Sequence, residues 1–378
     1  MSRIQGAATR AGTNAYARTH GAGCGEGHFS DFPGLHLKLS SLGIGTFPGA
    51  ASDAVDAAYA DIVQRAALGG LNVFDTAAHY RYGRSMRALG EGLRRAFAAG
   101  VTREQVFVVG KGGFLAFDDR PPDDLARWFD ARIAARGLGM PADLAGQHLL
   151  TPAYVVHQLE CVREATGLET LDAFLVDQPE VHVPAIGKER MHRKLAAVFA
   201  ALEQQVKLGT IGCYGLSSFE SFRAETDAPV FQSLTALLGL AEKAAQVAHG
   251  AGARHAFRIV QLPFNQAMTE GFTRFSHATG QGNVASTIQA AHQLRVYVMA
   301  SHSMGKGMLA RQASDAVRAK LAALGNDAQR ALQFNRSTPG IGTSLVGISD
   351  PVHLEDALAV ARLPPLAKQE YLSLYQRA

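Results

Sequence analysis

The stretch that decides the fold is residues 70–92, GLNVFDTAAHYRYGRSMRALGEG. Residues 71–74 form a short apolar run rich in strand formers, which is typical of a buried parallel strand. Asp75 follows where that strand is expected to end, and Tyr80 comes five residues later. Apolar residues then recur at helical spacing over residues 85–97. The stretch therefore predicts a strand–loop–helix unit with a carboxylate and a tyrosine at the carboxyl end of its strand.

The same alternation of strand and helix continues along the chain. Helical patterns cover residues 53–68 and 191–208, and a helix over residues 152–166 has Thr151 as its N-cap and Pro152 at its first position. Strands that alternate with helices at this spacing predict parallel βα units, whose strands in a barrel carry the chemistry at their carboxyl ends. The other strand-like runs are at residues 43–47, 106–111, 171–179, 211–218, 257–262, 296–300 and 343–348.

Composition excludes several classes of protein. The chain has 378 residues, of which 47% are hydrophobic and 19% charged, as in an ordinary soluble globular protein. The net charge of +4 is small and no dense run of Lys and Arg is present, so we expect no nucleic-acid partner. No apolar run approaches the ~20 residues that span a bilayer. The three cysteines lack metal-type spacing, which indicates reduced thiols and a cytoplasmic location.

The chain divides into an arm and one large domain. Residues 1–34 are rich in Gly, Ala, Thr and Arg without a clear period, which predicts a loosely attached N-terminal arm rather than a transit peptide of similar composition. Residues 35–378 form the single domain. The long segment that follows Lys111, with Pro121 and Pro122, exceeds the usual connection length. We expect it to form an elaborated loop, with a helix near residues 125–135, over the carboxyl ends of the strands.

Several motifs in order resemble those of one family. Residues 74–77, Phe-Asp-Thr-Ala, with Tyr80 five residues after Asp75, resemble the signature of the aldo-keto reductases. The run at residues 106–111 resembles the next strand of that family, which ends on its catalytic lysine. The resemblance covers roughly residues 39–358. It implies a single-domain (β/α)₈ TIM barrel that uses a nicotinamide cofactor to act on a small-molecule substrate, and it leaves the oligomeric state open.

The resemblance assigns three catalytic residues. In this family a tyrosine gives a proton to the substrate carbonyl, a lysine lowers the pKa of that tyrosine, and an aspartate pairs with the lysine. A tyrosine with an ordinary pKa near ~10 needs such a cation to act at neutral pH. By motif these residues are Tyr80, Lys111 and Asp75. Tyr82 is a local rival because Tyr82-Gly83-Arg84-Ser85 also resembles a family motif, and the spacing from Asp75 favours Tyr80.

The fourth catalytic position departs from the family. Asp177 stands where the family usually has a histidine, and the Pro179 that follows fixes this register against a slip onto His182. A carboxyl that keeps its proton can donate to the substrate, as one does in ketosteroid isomerase, and the steroid double-bond reductases of the family carry an acid here. An ionised Asp177 would instead pair with Lys111. The low-turnover potassium-channel β subunits also lack this histidine.

Polar residues at the later strands are similar to the cofactor contacts of the family. Ser217, Ser218 and Gln261 lie where the family holds the nicotinamide carboxamide, and an amide needs both donor and acceptor partners. The resemblance implies NADPH, with NADH as the alternative because Gly347 and His353 replace the usual Lys and Arg of the 2′-phosphate site. The remaining candidate cofactor residues are Thr46, Ser301, Ser303 and Gly305. No metal site is expected.

The sequence thus favours an NAD(P)H-dependent oxidoreductase that reduces a carbonyl or a conjugated C=C, with Tyr80 as the proton donor. Two alternatives stay open. One is a non-redox lyase or isomerase that reuses the altered catalytic set. The other is a cofactor-binding regulatory protein with little turnover. Three of the remaining histidines are further candidates. His79 is expected to help shape the pocket, His148 to reach the site from the elaborated loop after Lys111, and His302 to contact a phosphate. Each is also typical of an ordinary loop histidine.

Overall fold

Eight parallel strands close into a barrel in the computed structural model, which describes residues 3–280 and 283–375. Each strand pairs with its neighbours in sequence, and the last strand pairs with the first through Ser344 and Leu42. The (β/α)₈ barrel predicted from the sequence is therefore confirmed. Its strands are β1 Leu42–Gly45, β2 Val73–Asp75, β3 Phe107–Gly112, β4 Leu171–Asp177, β5 Ile211–Ser217, β6 Phe257–Pro263, β7 Tyr297–Ser301 and β8 Thr343–Gly347.

Helices surround the barrel and cover its outer surface. The helix α2 begins as predicted, since the Ser52 side chain accepts from the Val55 N–H, and α5 has Thr151 as N-cap and a left-handed Gly167 at its end. The helices are α1 Arg10–Gly21, α2 Asp53–Leu68, α3 Arg84–Ala98, α4 Leu125–Arg132, α5 Pro152–Thr166, α6 Val183–Ile186, α7 Lys188–Lys207, α8 Leu234–His249, α9 Glu270–Thr273, α10 Thr287–Gln293, α11 Asp315–Lys320, α12 Asp327–Arg336, α13 Leu354–Ala361 and α14 Lys368–Leu372.

The barrel strands are buried on both faces. Along β3, Val108 packs in the layer between strands and helices, whereas Val109 belongs to a separate cluster that fills the barrel interior. Such alternation explains the nearly continuous apolar runs of the strands. The interior cluster leaves the carboxyl ends of the strands to polar residues, and these ends face the long loops. The interior cluster is Phe32, Leu37, Leu39, Val73, Phe107, Val109, Ala173, Leu175, Cys213, Ile259, Tyr297, Met299 and Leu345.

The N-terminal arm packs tightly against the barrel, so the predicted loose attachment is wrong. A hairpin of Phe29–Phe32 with Leu37–Ser40 closes the amino-terminal end of the barrel and spans the expected boundary at residue 34. In α1, Tyr16 is buried and its hydroxyl donates to the Ala67 carbonyl at 2.6 Å. The Gly- and Ala-rich composition suggested weak packing. The few aromatic residues of the arm nevertheless pack against residues that are distant in the sequence, as Phe32 does against Phe107.

The elaborated loop after β3 is confirmed and has a small core of its own. It contains α4 and a short hairpin of Leu144–Ala145 with His148–Leu149. We call this loop, which connects β3 to α5, the lid. Its core is formed by Leu115, Phe117, Phe129, Ile133, Leu149 and Tyr154. A second hairpin, of Phe275–Gly280 with Asn283–Ser286, follows β6 and was not predicted. Within residues 3–280 and 283–375, none of the helices has both the length and the apolar character needed to cross a membrane.

Candidate active site

A line of polar side chains crosses the carboxyl end of the barrel. Lys111 of β3 and Asp75 of β2 form an ion pair in which the two side chains are 1% and 4% exposed. The other Asp75 oxygen, Oδ2, accepts a hydrogen bond from Gln261 Nε2 at 2.9 Å. Ser217 Oγ donates to Gln261 Oε1 at 3.2 Å. Strands β2, β3, β5 and β6 thus hold one buried network, because the ends of neighbouring parallel strands converge here.

Tyr80 lies directly over the ion pair. The Lys111 Nζ atom is 4.9 Å from the centre of the Tyr80 ring, and the exposed Phe47 packs edge-on against the same ring at 5.0 Å. Tyr82 packs instead against the core of the lid. The structure therefore brings Tyr80, and not its rival Tyr82, together with Lys111 and Asp75.

A left-handed turn holds Tyr80 in place. Arg81, Tyr82 and Gly83 have φ values of 49°, 57° and 77°, and only the glycine adopts such a conformation without strain. The Arg81 guanidinium stabilises the turn, since it donates to the Ala50 carbonyl at 2.7 Å and to Asp56 at 2.6 Å. The loop after β1 is in this way tied to the turn that follows Tyr80.

The charges of this site depend on burial and on one cation. Burial alone would lower the pKa of Lys111. The nearby Asp75 and Tyr80 raise it by more than burial lowers it, so the pKa of Lys111 is raised and the ammonium stays charged. Burial raises the pKa of Tyr80, and the Lys111 ammonium opposes that rise. At neutral pH Tyr80 therefore carries its proton, and Lys111 is placed to stabilise the phenolate that forms when the proton leaves.

Asp177 lies at the end of β4, where the sequence places it. It pairs in register with Ser217 of β5. Burial raises the pKa of the Asp177 carboxyl, while Lys111 lowers it. The ion-pair partner of Lys111 is Asp75, and the residue facing the Asp177 side chain is His79, with 4.0 Å between His79 Nε2 and Asp177 Oδ2. The prediction that an ionised Asp177 pairs directly with Lys111 does not describe this geometry.

Two further histidines support the end of β4. His148 Nε2 lies 2.6 Å from the backbone carbonyl of Asp177, so this nitrogen carries the proton. The other ring nitrogen, Nδ1, then accepts from His182 Nε2 at 2.9 Å. Burial lowers the pKa of His148 to about 3, so the ring is neutral. His148 thus reaches the site from the lid by its hydrogen bond to the backbone of Asp177. The contact between His182 and His148 could not be predicted from the sequence, which showed only that His182 follows β4.

Glu180 is a buried carboxylate that sequence analysis missed. Its Oε1 atom accepts from Ser218 Oγ at 2.6 Å and from the backbone N–H of Phe219 at 2.9 Å. Its Oε2 atom is buried with no partner within the described residues. Burial raises the pKa of Glu180 to about 7, and the hydrogen bond from Ser218 opposes this rise. The Ser218 hydroxyl, a predicted cofactor contact, is therefore already used to anchor Glu180.

The other predicted cofactor residues fall into two groups. Some are bound inside the protein: Thr46 Oγ1 donates to the Asp75 carbonyl at 3.1 Å, and Ser303 Oγ donates to the Leu345 carbonyl at 2.7 Å. The others lie at or after the ends of strands β7 and β8, where solvent reaches all of them except the buried Gly305. These are Ser301 at the end of β7, Gly305 in the turn that follows it, Gly347 at the end of β8 and His353 just before α13.

The turn after β7 has features of an anion site. His302, Gly305, Lys306 and Gly307 all have positive φ values, between 53° and 87°, so successive backbone N–H groups change direction within a few residues. Lys306 is exposed and brings a positive charge that the sequence analysis did not use. Metal ions have no comparable site, since the described part of the chain contains no cluster of three or more His, Cys, Asp or Glu side chains.

Comparisons with known proteins agree with this fold. Residues 41–227 match the model of the family described as the aldo/keto reductase family. An aldo/keto reductase from Klebsiella pneumoniae, solved with NADP and acetate, is similar with a TM-score of 0.59 and 17% identity over 91% of this chain and 93% of that one. An aldo-keto reductase from Bacillus halodurans in its holo form has a TM-score of 0.60 and 14% identity over 93% and 97%. No curated protein matches the sequence.

Proposed function

Because the chain belongs to the aldo/keto reductase family, we propose that it is an NADPH-dependent oxidoreductase that reduces a carbonyl or a conjugated C=C of a small molecule. The observation that carries this proposal is the buried Lys111–Asp75 pair beneath Tyr80. A buried ammonium next to a phenol is the arrangement that makes a tyrosine an effective proton donor. The Klebsiella structures contain NADP or NADPH, which supports the choice of cofactor.

The residues at the strand ends fit a nicotinamide cofactor. The Gln261 side chain uses one N–H for Asp75 and one lone pair for Ser217, which leaves an N–H and a lone pair for a carboxamide. The turn after β7, with its positive φ values and with Lys306, suits a phosphate group. When bound, NADPH supplies a hydride to the substrate carbon. Tyr80 supplies the proton that completes the reduction, and Lys111 stabilises the phenolate that remains.

Cofactor binding is the first test. The purified protein is titrated with NADPH and with NADH, and cofactor fluorescence is followed. We expect saturable binding in the micromolar range typical of enzyme ligands, with NADPH bound more tightly because the exposed Lys306 adds positive charge that favours the nucleotide with the additional phosphate. Absence of binding by either nucleotide would refute the oxidoreductase proposal and leave the non-redox alternative.

Catalysis is tested with a matched pair of tyrosine variants. Tyr80→Phe removes the proposed proton donor, so we expect kcat to fall by about 10²–10⁴-fold with little change in the Kd for NADPH. Tyr82→Phe removes a hydroxyl two residues away, and we expect kcat within a few-fold of the wild type. A Tyr80→Phe variant that keeps the wild-type rate would contradict the assigned role.

We also propose a cytoplasmic location. The cysteines Cys24, Cys161 and Cys213 are all free thiols, which suits a reducing compartment.

A further inference from the structure

A donor and an acceptor face each other beside the catalytic tyrosine. His79 follows β2 in the loop that leads to Tyr80, and Asp177 ends β4. The 4.0 Å between His79 Nε2 and Asp177 Oδ2 is too long for a direct hydrogen bond. Both side chains are largely buried, at 20% and 4% exposed. Two polar groups are thus held close to each other without a direct hydrogen bond between them.

The surroundings of His79 fix which of its nitrogens carries the proton. Its Nδ1 atom is buried and has no hydrogen-bond partner within residues 3–280 and 283–375. A buried N–H without an acceptor is rarer and costlier than a buried lone pair, so the proton belongs on Nε2, the atom facing Asp177. Burial and the nearby Lys111 charge together lower the pKa of His79 to about 3, which keeps the ring neutral. His79 therefore presents an N–H donor to the pocket.

We propose that His79 and Asp177 together bind a hydroxyl group of the substrate, next to the carbonyl that is reduced, so that the substrates are small α-hydroxy carbonyl compounds. This inference rests on the proposed function. A hydroxyl accepts from His79 Nε2–H and donates to a carboxyl oxygen of Asp177 through a single oxygen, whereas a carbonyl oxygen only accepts. One oxygen with two hydrogen bonds of about 2.8 Å bridges atoms that lie 4.0 Å apart.

Aromatic packing places this hydroxyl subsite beside the reacting carbonyl. The His79 ring packs edge-on against Tyr80, with 4.8 Å between the ring centres, and against Phe114 at 5.1 Å. These contacts hold the imidazole next to the Tyr80 ring, whose hydroxyl is the proposed proton donor to the carbonyl oxygen. A hydroxyl between His79 and Asp177 therefore belongs to a carbon near the carbonyl carbon, which defines the α-hydroxy class. In this way the replacement of the family histidine by Asp177 changes which substrate is recognised.

The test compares two ketones that differ in one group. Hydroxyacetone and 2-butanone have the same shape, with a hydroxyl in the first replaced by a methyl in the second. With saturating NADPH, we expect kcat/KM for hydroxyacetone to exceed that for 2-butanone at least tenfold, because the methyl group of the analogue makes neither the hydrogen bond to His79 nor the one to Asp177. His79→Phe and Asp177→Leu are each expected to bring this ratio close to one, because each lowers hydroxyacetone reduction by a larger factor than 2-butanone reduction.

The ratio separates a specific role from a structural one. A variant that only disturbs the fold lowers both activities alike and leaves the ratio unchanged, and that result for His79→Phe or Asp177→Leu would overturn the subsite. Tyr82→Phe is the control and is expected to keep the wild-type ratio. A wild-type ratio near one would overturn the proposal as well.

Binding without cofactor distinguishes failure of the subsite from failure of the proposed function. The NMR signals of the His79 ring are assigned by their loss in His79→Phe, and each ketone is titrated into the wild-type protein. We expect hydroxyacetone to shift these signals at a concentration at least tenfold lower than 2-butanone does. Selective binding without reduction of either ketone would keep the subsite and refute the reductase. Equal binding of the two ketones would overturn the subsite, whatever the activity.

Discussion

Removal of the Lys111 charge is expected to destabilise the protein strongly. Lys111→Met keeps most of the length and the apolar stem of the side chain but leaves the Asp75 carboxylate buried, with Gln261 as its hydrogen-bond donor. The Lys111 and Asp75 side chains are only 1% and 4% exposed, so water does not replace the lost partner. Breaking one partner of a buried pair typically costs about 3–5 kcal/mol. We expect the free energy of unfolding to fall by that amount.

Equilibrium unfolding in urea, followed by far-UV circular dichroism, measures this loss. The double variant Lys111→Met/Asp75→Asn has no uncompensated charge, and we expect it to be at least about 1–2 kcal/mol more stable than Lys111→Met alone. The control is Lys194→Met, whose ion pair with Asp143 is partly exposed and is expected to contribute less than about 1 kcal/mol. The reasoning would be refuted if Lys111→Met matched Lys194→Met, or if the double variant were no more stable than Lys111→Met.

Three further predictions concern single residues. The pKa of Glu180 is raised to about 7, so the folded state binds this proton more tightly than the unfolded state does. The resulting stability is present below pH ~4.5, and about 3 kcal/mol of it is lost as the pH rises toward 7. Glu180→Gln should reduce the change in unfolding free energy between pH ~4.5 and ~7, measured by urea unfolding, and an unchanged pH dependence would contradict this prediction. Tyr16→Ala should lower the free energy of unfolding by about 3–5 kcal/mol, because the side chain is buried and bonded to Ala67, whereas exposed Arg18→Ala should change it by less than ~0.5 kcal/mol. Asp177→His should raise kcat/KM for simple aldehydes that lack a hydroxyl, since a neutral imidazole donates to a carbonyl oxygen, and no gain would weaken the reductase proposal.

Local signals in the sequence predicted most of the barrel. Ser52 and Gly167 mark the ends of helices through contacts within a few residues, so their roles are visible without the fold. The strand β4 is likewise visible locally, because a short continuous apolar run predicts a strand that is buried on both faces. The hairpin after β6 was missed, because its polar and small residues carry no strong periodicity.

The active site was predictable where residues follow strand ends. Asp75 and Lys111 come directly after apolar runs, and the geometry of a parallel barrel brings such positions together. The contacts of Glu180 and Tyr16 were not recognised, because their partners lie in other elements, after β5 for Glu180 and in α2 for Tyr16. The Tyr16 hydroxyl, for example, bonds to a carbonyl 51 residues away in the sequence, a distance at which periodicity carries no information.

The packing of the arm against the last helices has a consequence for the order in which the chain folds during synthesis. The Gly25 N–H donates to the Ala361 carbonyl at 2.9 Å, and Arg336 lies 3.5 Å from His28, which is 308 residues earlier in the chain. Residues 25–28 therefore cannot make these contacts until residues 336–361 have been synthesised. Strands β1 and β8 have the same requirement, so barrel closure and docking of the arm coincide. Contacts of such long range make folding slow, and nascent chains that lack α13 keep the arm undocked.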